Sequence, residues 1–141
     1  MKILLPVDGS KSCLHAAKYV AKIANNSSDP VKVTLVSVHD DAGMGHVKQF
    51  VPKGTVNDYL REVSERDLKP AQKVLDNAGV KHNMAIRRGH IAHEILTLAK
   101  QDKVDMIVMG AKGRSGIVDA LLGSVAQRVC SQAKQPVLLV K

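Results

Sequence analysis

Short strand-like runs alternate with helix-period segments along the whole chain without a break in composition, and this alternation restricts the fold most. Successive strands separated by helical crossovers build a parallel sheet, because each helix returns the chain to the edge where the next strand starts. Five runs read as strands: Ile3 to Val7, Val31 to Val38, Val80 to Ile86, Val104 to Met109 and Val137 to Val140. The fourth is nearly all apolar, as a strand covered on both faces must be. In the third, Val80, His82, Met84 and Ile86 alternate with Lys81, Asn83, Ala85 and Arg87, which marks an edge. The fold class is α/β with a mainly parallel sheet. If the last run is also an edge, its open N–H and C=O groups need a cover, and a symmetric second copy is the simplest one.

The helical segments carry their own punctuation. Leu14, Ala17, Ala21 and Ala24 recur at helical spacing behind Ser10, a natural N-cap. Leu60, Val63, Asp67, Leu68, Ala71, Val74, Leu75 and Ala78 mark a second helix, which Pro70 should kink or interrupt and Gly79 should stop. Ile91, Ile95, Leu98 and Ala99 form a third. Val125, Val129 and Ala133 form a fourth, opened by Ser124-Val125-Ala126-Gln127 at capping-box spacing and closed by Pro136. The stretch His39 to Thr55 has no periodicity and is long for a connection, so it reads as a mobile lid or a partly disordered segment. Its Gly43-Met44-Gly45 starts like a dinucleotide fingerprint, but Lys48 stands where the third glycine belongs.

Composition removes several function classes. A chain of 141 residues forms one domain, 1–141, with enough core to need neither disulfide nor metal. The net charge of +8 suits anionic partners such as nucleotides, and equally suits plain solubility. Nucleic acid is disfavoured: the aromatics are Tyr19, Tyr59 and Phe50, too few for base stacking, and the longest basic run is Arg87-Arg88. Cys13 and Cys130 each sit in an apolar helical pattern and read as reduced packing residues of a cytoplasmic protein. The opening Met1 to Asp8 is too short and too soon charged for a signal sequence or a membrane span.

The chemistry concentrates at two strand ends. Gly110-Ala111-Lys112-Gly113 follows the apolar Met106-Ile107-Val108-Met109, and Gly123-Ser124 opens the last helix, whose first N–H groups favour an anion. With Lys112 and Arg114 between them, this loop suits a di- or triphosphate better than a lone carboxylate. The first strand ends in Pro6-Val7-Asp8-Gly9-Ser10, so if the two strands are neighbours Asp8 faces the glycine turn across one crevice. Singly, each feature has a plainer role: Ser124 as a cap, Gly110 as a turn, Lys112 and Arg114 as solvated cations, Asp8 as a cap of its own turn. Their convergence points to phosphate.

The spacing Gly-x2-Gly-x9-Gly-Ser resembles the nucleotide-binding signature of the ATP-binding branch of the universal stress protein family. The resemblance spans the chain, taking in Pro6 to Ser10, Ser37-Val38-His39-Asp40, Gly89, the glycine loop and Pro136 to Val140. It implies an open five-stranded parallel sheet in the order 3-2-1-4-5 with helices on both faces, a Rossmann-like, adenine nucleotide alpha hydrolase-like fold. It also implies a homodimer through Val137 to Val140 and a role in stress response. Carried over, it assigns adenine to the backbone near Val38, ribose to Pro6 and Gly110, and a nearby carboxylate to Asp8. Phosphate falls to Gly113, Arg114, Ser115, Gly116, Gly123, Ser124, Val125 and Ala126, with Val7, Met109, Ala111 and Lys112 completing the site. The implied cofactor is ATP, with Asp8 a candidate to help hold Mg2+ through water.

Rival sites are thinner. His90 and His93, with Glu94, could share a helix face toward a metal, yet no third or fourth ligand accompanies them. His39, His46, Asp40 and Asp41 form a loose cluster that reads as solvated surface. Gly113-Arg114-Ser115-Gly116 misses the Gly-x-Ser-x-Gly spacing and there is no Walker lysine motif, so no catalytic residue is assigned. The leading expectation is a nucleotide-dependent regulatory module that acts on an unidentified protein partner. The alternatives are a slow Mg-dependent ATPase or nucleotidyl-transfer enzyme, and a nucleotide-free dimerisation domain.

Overall fold

The computed structural model describes residues 1–40, 53–114 and 122–141. Their order is β1 (Lys2–Pro6), α1 (Lys11–Asn26), β2 (Lys32–His39), α2 (Lys53–Asn77), β3 (His82–Arg88), α3 (Ile91–Gln101), β4 (Met106–Gly110), α4 (Ser124–Gln132) and β5 (Val137–Val140). All strand pairs are parallel, in the order β3-β2-β1-β4-β5, so β3 is the edge that its alternating sequence predicts.

The pleat of β1 explains why the central strands are apolar throughout. Ile3 and Leu5, with Leu35 and Val108, face α1 and α2, where Ala17, Val20, Leu68 and Leu75 complete one core layer. Leu4, with Val36 and Ile107, faces α3 and α4, where Ile95, Leu98 and Val129 complete the other. Since successive strand residues point to opposite faces, burial on both sides requires an unbroken apolar run.

Some local features differ from the sequence reading. The second helix begins at Lys53, inside the stretch that lacked periodicity, and runs through Pro70 without interruption. Pro70 lies on the exposed side, so the helix hydrogen bond it cannot make is lost where water replaces it, while Leu68, Ala71 and Leu75 keep the helix seated. Of the unassigned stretch, 41–52 lie outside the described residues. Both cysteines are free, but only Cys13 is buried; Cys130 is exposed, because α4 buries Ala126 and Val129 and the next residue turns outward. Among the described residues no helix is long and apolar enough to cross a membrane.

The chain order creates a switch point. From β1 the chain moves through α1 and α2 to β2 and β3 on one side, then crosses the other face through α3 to reach β4 on β1's opposite side. The carboxyl ends of β1 and β4 therefore flank a crevice. Gly110, the last residue of β4, allows α1 to start hard against it: an added Cβ would stand 2.6 Å from Ser12 Oγ, 2.7 Å from Ser12 C and 2.9 Å from Cys13 N. Gly110→Ala is therefore expected to destabilise the protein by about 1–3 kcal/mol in urea denaturation, because backbone of α1 has to move.

Candidate functional site

The rim of β1 is shaped by its own sequence. Val7 N–H extends the ladder to Val36 O at 2.8 Å, after which Asp8 Oδ1 accepts from Ser10 N–H at 2.9 Å. This tight turn needs Gly9 in the left-handed region, at φ 78°. Ser10 then caps α1 as its sequence predicts, its Oγ accepting from Cys13 N–H at 3.2 Å. The local role of Asp8 thus occupies one carboxylate oxygen. The other points toward the glycine turn, since a Cβ on Gly113 would meet Asp8 Oδ2 at 3.4 Å.

The loop after β4 is tied at both ends by backbone. Ala111 N–H donates to Val140 O at 2.8 Å, and Gly123 N–H donates to Ala111 O at 2.8 Å, so the start of α4 sits beside the end of β4. Lys112 N–H reaches Ser12 Oγ at 3.3 Å. The capping-box reading of Ser124 is corrected: Gly123 is the N-cap and no side chain caps α4, because Ser124 lies one residue inside the helix. The first intrahelical bond runs from Gln127 N–H to Gly123 O at 2.9 Å. Among the described residues the N–H groups of Ser124, Val125 and Ala126 have no acceptor, which leaves these donors for an outside one.

These pieces enclose a cavity of about 340 Å³ between the ends of β1, β2 and β4, a volume suited to a small-molecule ligand. Pro6, Val7, Asp8, Val38, Met109, Gly110, Lys112, Gly113, Arg114, Gly123, Ser124, Val125 and Ala126 all line it. Ala111 does not: it is buried beneath the turn, where its backbone holds β5 and Gly123. Ser115 and Gly116 lie outside the described residues.

Other lining residues were not singled out from sequence. Ile91 and Ile95 supply an apolar wall from α3, and Ser37 and Asp67 add polar groups from β2 and α2. Asp67 carried a signal, being a carboxylate in a helical series of core positions; it is 6% exposed and pairs with Arg114. His39 is no solvated loop residue. It ends β2, half-buried, with Nε2 2.5 Å from Oγ of the fully buried Ser64. Burial lowers its pKa, Asp67 opposes that shift, and Arg114 adds to it.

The histidines at α3 serve other ends. His90 Nε2 lies 2.6 Å from Arg128 Nη1, and His93 Nδ1 is 3.6 Å from Glu94. Among the described residues no group of three His, Cys, Asp or Glu side chains could hold a metal ion.

Fold and crevice together define a class: an open α/β protein with an uncapped helix start and a glycine turn meeting at the switch point. The universal stress protein family profile matches residues 1–141. Universal stress protein MJ0531 of Methanocaldococcus jannaschii is 36% identical over 141 residues, covering 99% of this chain and 81% of its own. The solved structure of MJ0577, from the same organism, superposes with a TM-score of 0.86 at 31% identity, over 99% of this chain and 94% of that one. A universal stress protein from Archaeoglobus fulgidus, solved in complex with dAMP, shares the fold at a TM-score of 0.70 and 21% identity, over 100% and 98% of the two chains. The chain belongs to the universal stress protein family.

The histidine at the end of β2 gives a pH test. An unfolded imidazole takes up its proton near 6.5, while folded His39 does so only at lower pH, so the unfolded chain binds more protons in that window. Stability contributed by neutral His39 is present above that window and is lost as pH falls through it. Chemical denaturation from about pH 7 to about pH 5 should show a smaller loss of stability in His39→Gln than in the wild type.

Proposed function

We propose that this chain is an ATP-binding universal stress protein whose nucleotide occupancy acts as a regulatory signal in the stress response. The observation that carries the reading is the convergence on one cavity of three groups: the uncapped start of α4, the turn at Gly113 and the free oxygen of Asp8. Backbone donors at a helix start suit phosphate. The apolar wall of Ile91 and Ile95 beside the backbone of Val38 suits an adenine ring. Pro6 and Gly110 then border the ribose, and Gly113 with Gly123, Ser124, Val125 and Ala126 takes the phosphates. The relative in complex with dAMP supports an adenine nucleotide as the ligand class.

The donor set fits a magnesium ion carried by the nucleotide. Such an ion keeps phosphate and water as most of its ligands, and Asp8 has one carboxylate oxygen uncommitted. The ion would supply charge neutralisation at the phosphates. Among the described lining residues the cations are Lys112 and Arg114, and Arg114 is paired with Asp67, so a free triphosphate meets few cations and a magnesium complex is favoured.

Binding is preferred to catalysis because His39 is engaged by Ser64 and the one uncommitted oxygen of Asp8 is the group that would face the magnesium complex. Hydrolysis needs a group that positions water at the γ-phosphate. Single-turnover assay with labelled ATP and Mg2+ separates the readings: hydrolysis above the protein-free rate favours the slow ATPase.

The homodimer belongs to the same proposal. In β5 Val137, Leu138, Leu139 and Val140 are all only partly buried, and β5 pairs with β4 on one side. A second copy adding β5 to β5 would cover that edge. The assembly and its nucleotide would then be read by a protein partner in the cytoplasm.

Calorimetry with Mg2+ and ATP tests the site. Ser124→Ala should weaken binding about threefold to tenfold, the scale of one lost hydrogen bond. Gly113→Ala should weaken it as well with the fold intact, because the new methyl has room against the protein and crowds only the crevice. Unchanged affinity in both variants would contradict the assignment. Truncation after Pro136 should abolish a dimer in sedimentation, and a folded truncate that still dimerises would exclude the β5 edge.

A further inference from the structure

Asp67 and Arg114 form an ion pair that the glycine signature does not account for. On α2, Val56, Leu60, Ser64, Asp67, Ala71 and Leu75 follow one another at helical spacing and are all buried. Two of these six are polar: Asp67 lines the crevice, and Ser64 contacts His39, which also lines it. Arg114 Nη2 donates to Asp67 Oδ2, whereas Arg66 reaches Oδ1 only at 3.4 Å. A Cβ on Gly9 would stand 2.9 Å from Asp67 Oδ1 and 3.2 Å from Arg114 Nη2, so the pair lies directly over the rim of β1. Arg114 thereby joins the end of β4 to α2, across 47 residues of sequence.

The two partners differ in how easily they part. Arg114 is half-exposed, at 52%, and finds water wherever it turns, but Asp67 is 6% exposed and among the described residues has only the long contact to Arg66 as an alternative. Removing the cation would strand a carboxylate out of water, the costly way to break such a pair. A phosphate arriving in the crevice therefore does not take Arg114 away from Asp67. The ammonium of Lys112, exposed and with no partner among the described residues, is the cation left to move.

On this geometry, and resting on the reading of the crevice as the nucleotide site, we infer that Asp67 is a positioning residue. It fixes Arg114 as a strap that holds the turn Gly110–Arg114 against the rim of β1. Arg114 then shapes the crevice and is not a mobile arm that captures the outermost phosphate.

Strap and arm predict different patterns in calorimetry with AMP and with ATP plus Mg2+. For a strap, Asp67→Asn and Arg114→Gln each weaken AMP and ATP by the same factor, about tenfold. The double variant is then no weaker than either single one, as for two residues acting through one contact. For an arm, Arg114→Gln costs ATP affinity and spares AMP, while Asp67→Asn frees the guanidinium and tightens ATP. That second pattern overturns the inference, as do additive losses in the double variant or unchanged binding in Asp67→Asn. Asn replaces Asp in nearly the same shape and leaves Arg114 to water, so this variant keeps the fold. If Arg114→Gln fails to fold with Asp67 stranded, Arg114→Lys takes its place and should retain part of the affinity for both ligands. A wild-type protein that binds neither AMP nor ATP contradicts the nucleotide site itself, a different result from any change confined to Asp67→Asn.

Discussion

The position of β1, hydrogen-bonded to β2 on one side and β4 on the other, is the constraint on which the remaining structure depends. Burial on both faces demands an apolar strand. Once Lys2–Pro6 is enclosed, its carboxyl end is where the chain can surface, and it does so through Val7, Asp8 and Gly9. Because the crossover to β2 and the crossover to β4 lie on opposite faces, that end opens into a crevice instead of a packed seam. The glycine turn after β4 and the start of α4 complete its walls.

The crevice is built largely of main chain. Ala111 holds β5 and Gly123 through its N–H and C=O, and Gly110 accepts the close approach of α1. Such a frame presents N–H groups at fixed positions without the entropy cost of ordering long side chains. Side chains then refine it: Asp8 at the rim, Ile91 and Ile95 on the wall, and Arg114 secured by Asp67. Glycine spacing sets where backbone donors stand, while Lys112 adds an exposed cation beside them and Arg114 ties the turn to α2.

Legibility in the sequence followed the physics of each element. The five strands were readable because burial on two faces leaves an unbroken apolar run, as in Ile107-Val108-Met109; β3 is the edge its alternation suggested, yet the alternation does not track burial, since Met84 and Ile86 are exposed and Ala85 packs on the core. The order 3-2-1-4-5 came from family resemblance and agrees with the sheet. Pro70 misled because local propensity ignores which side of a helix meets water. Ser124 looked like a cap because Ser-x-x-Gln spacing cannot tell N-cap from first helical residue, a difference of one position. The partnership of Asp67 with Arg114 and of His39 with Ser64 was hidden for another reason. These pairs join residues 47 and 25 positions apart, and only the packing of α2 across the strand ends brings them together.

The most direct test of the account is an amide NMR titration of the intact protein with ATP and Mg2+. If the crevice between β1 and β4 holds the nucleotide, the N–H signals of Gly113, Ser124, Val125 and Ala126 shift together and saturate, with those of Asp8 and Val38 moving alongside. Shifts confined to exposed lysines such as Lys18, Lys22 and Lys73, or no saturable change at the start of α4, would contradict it.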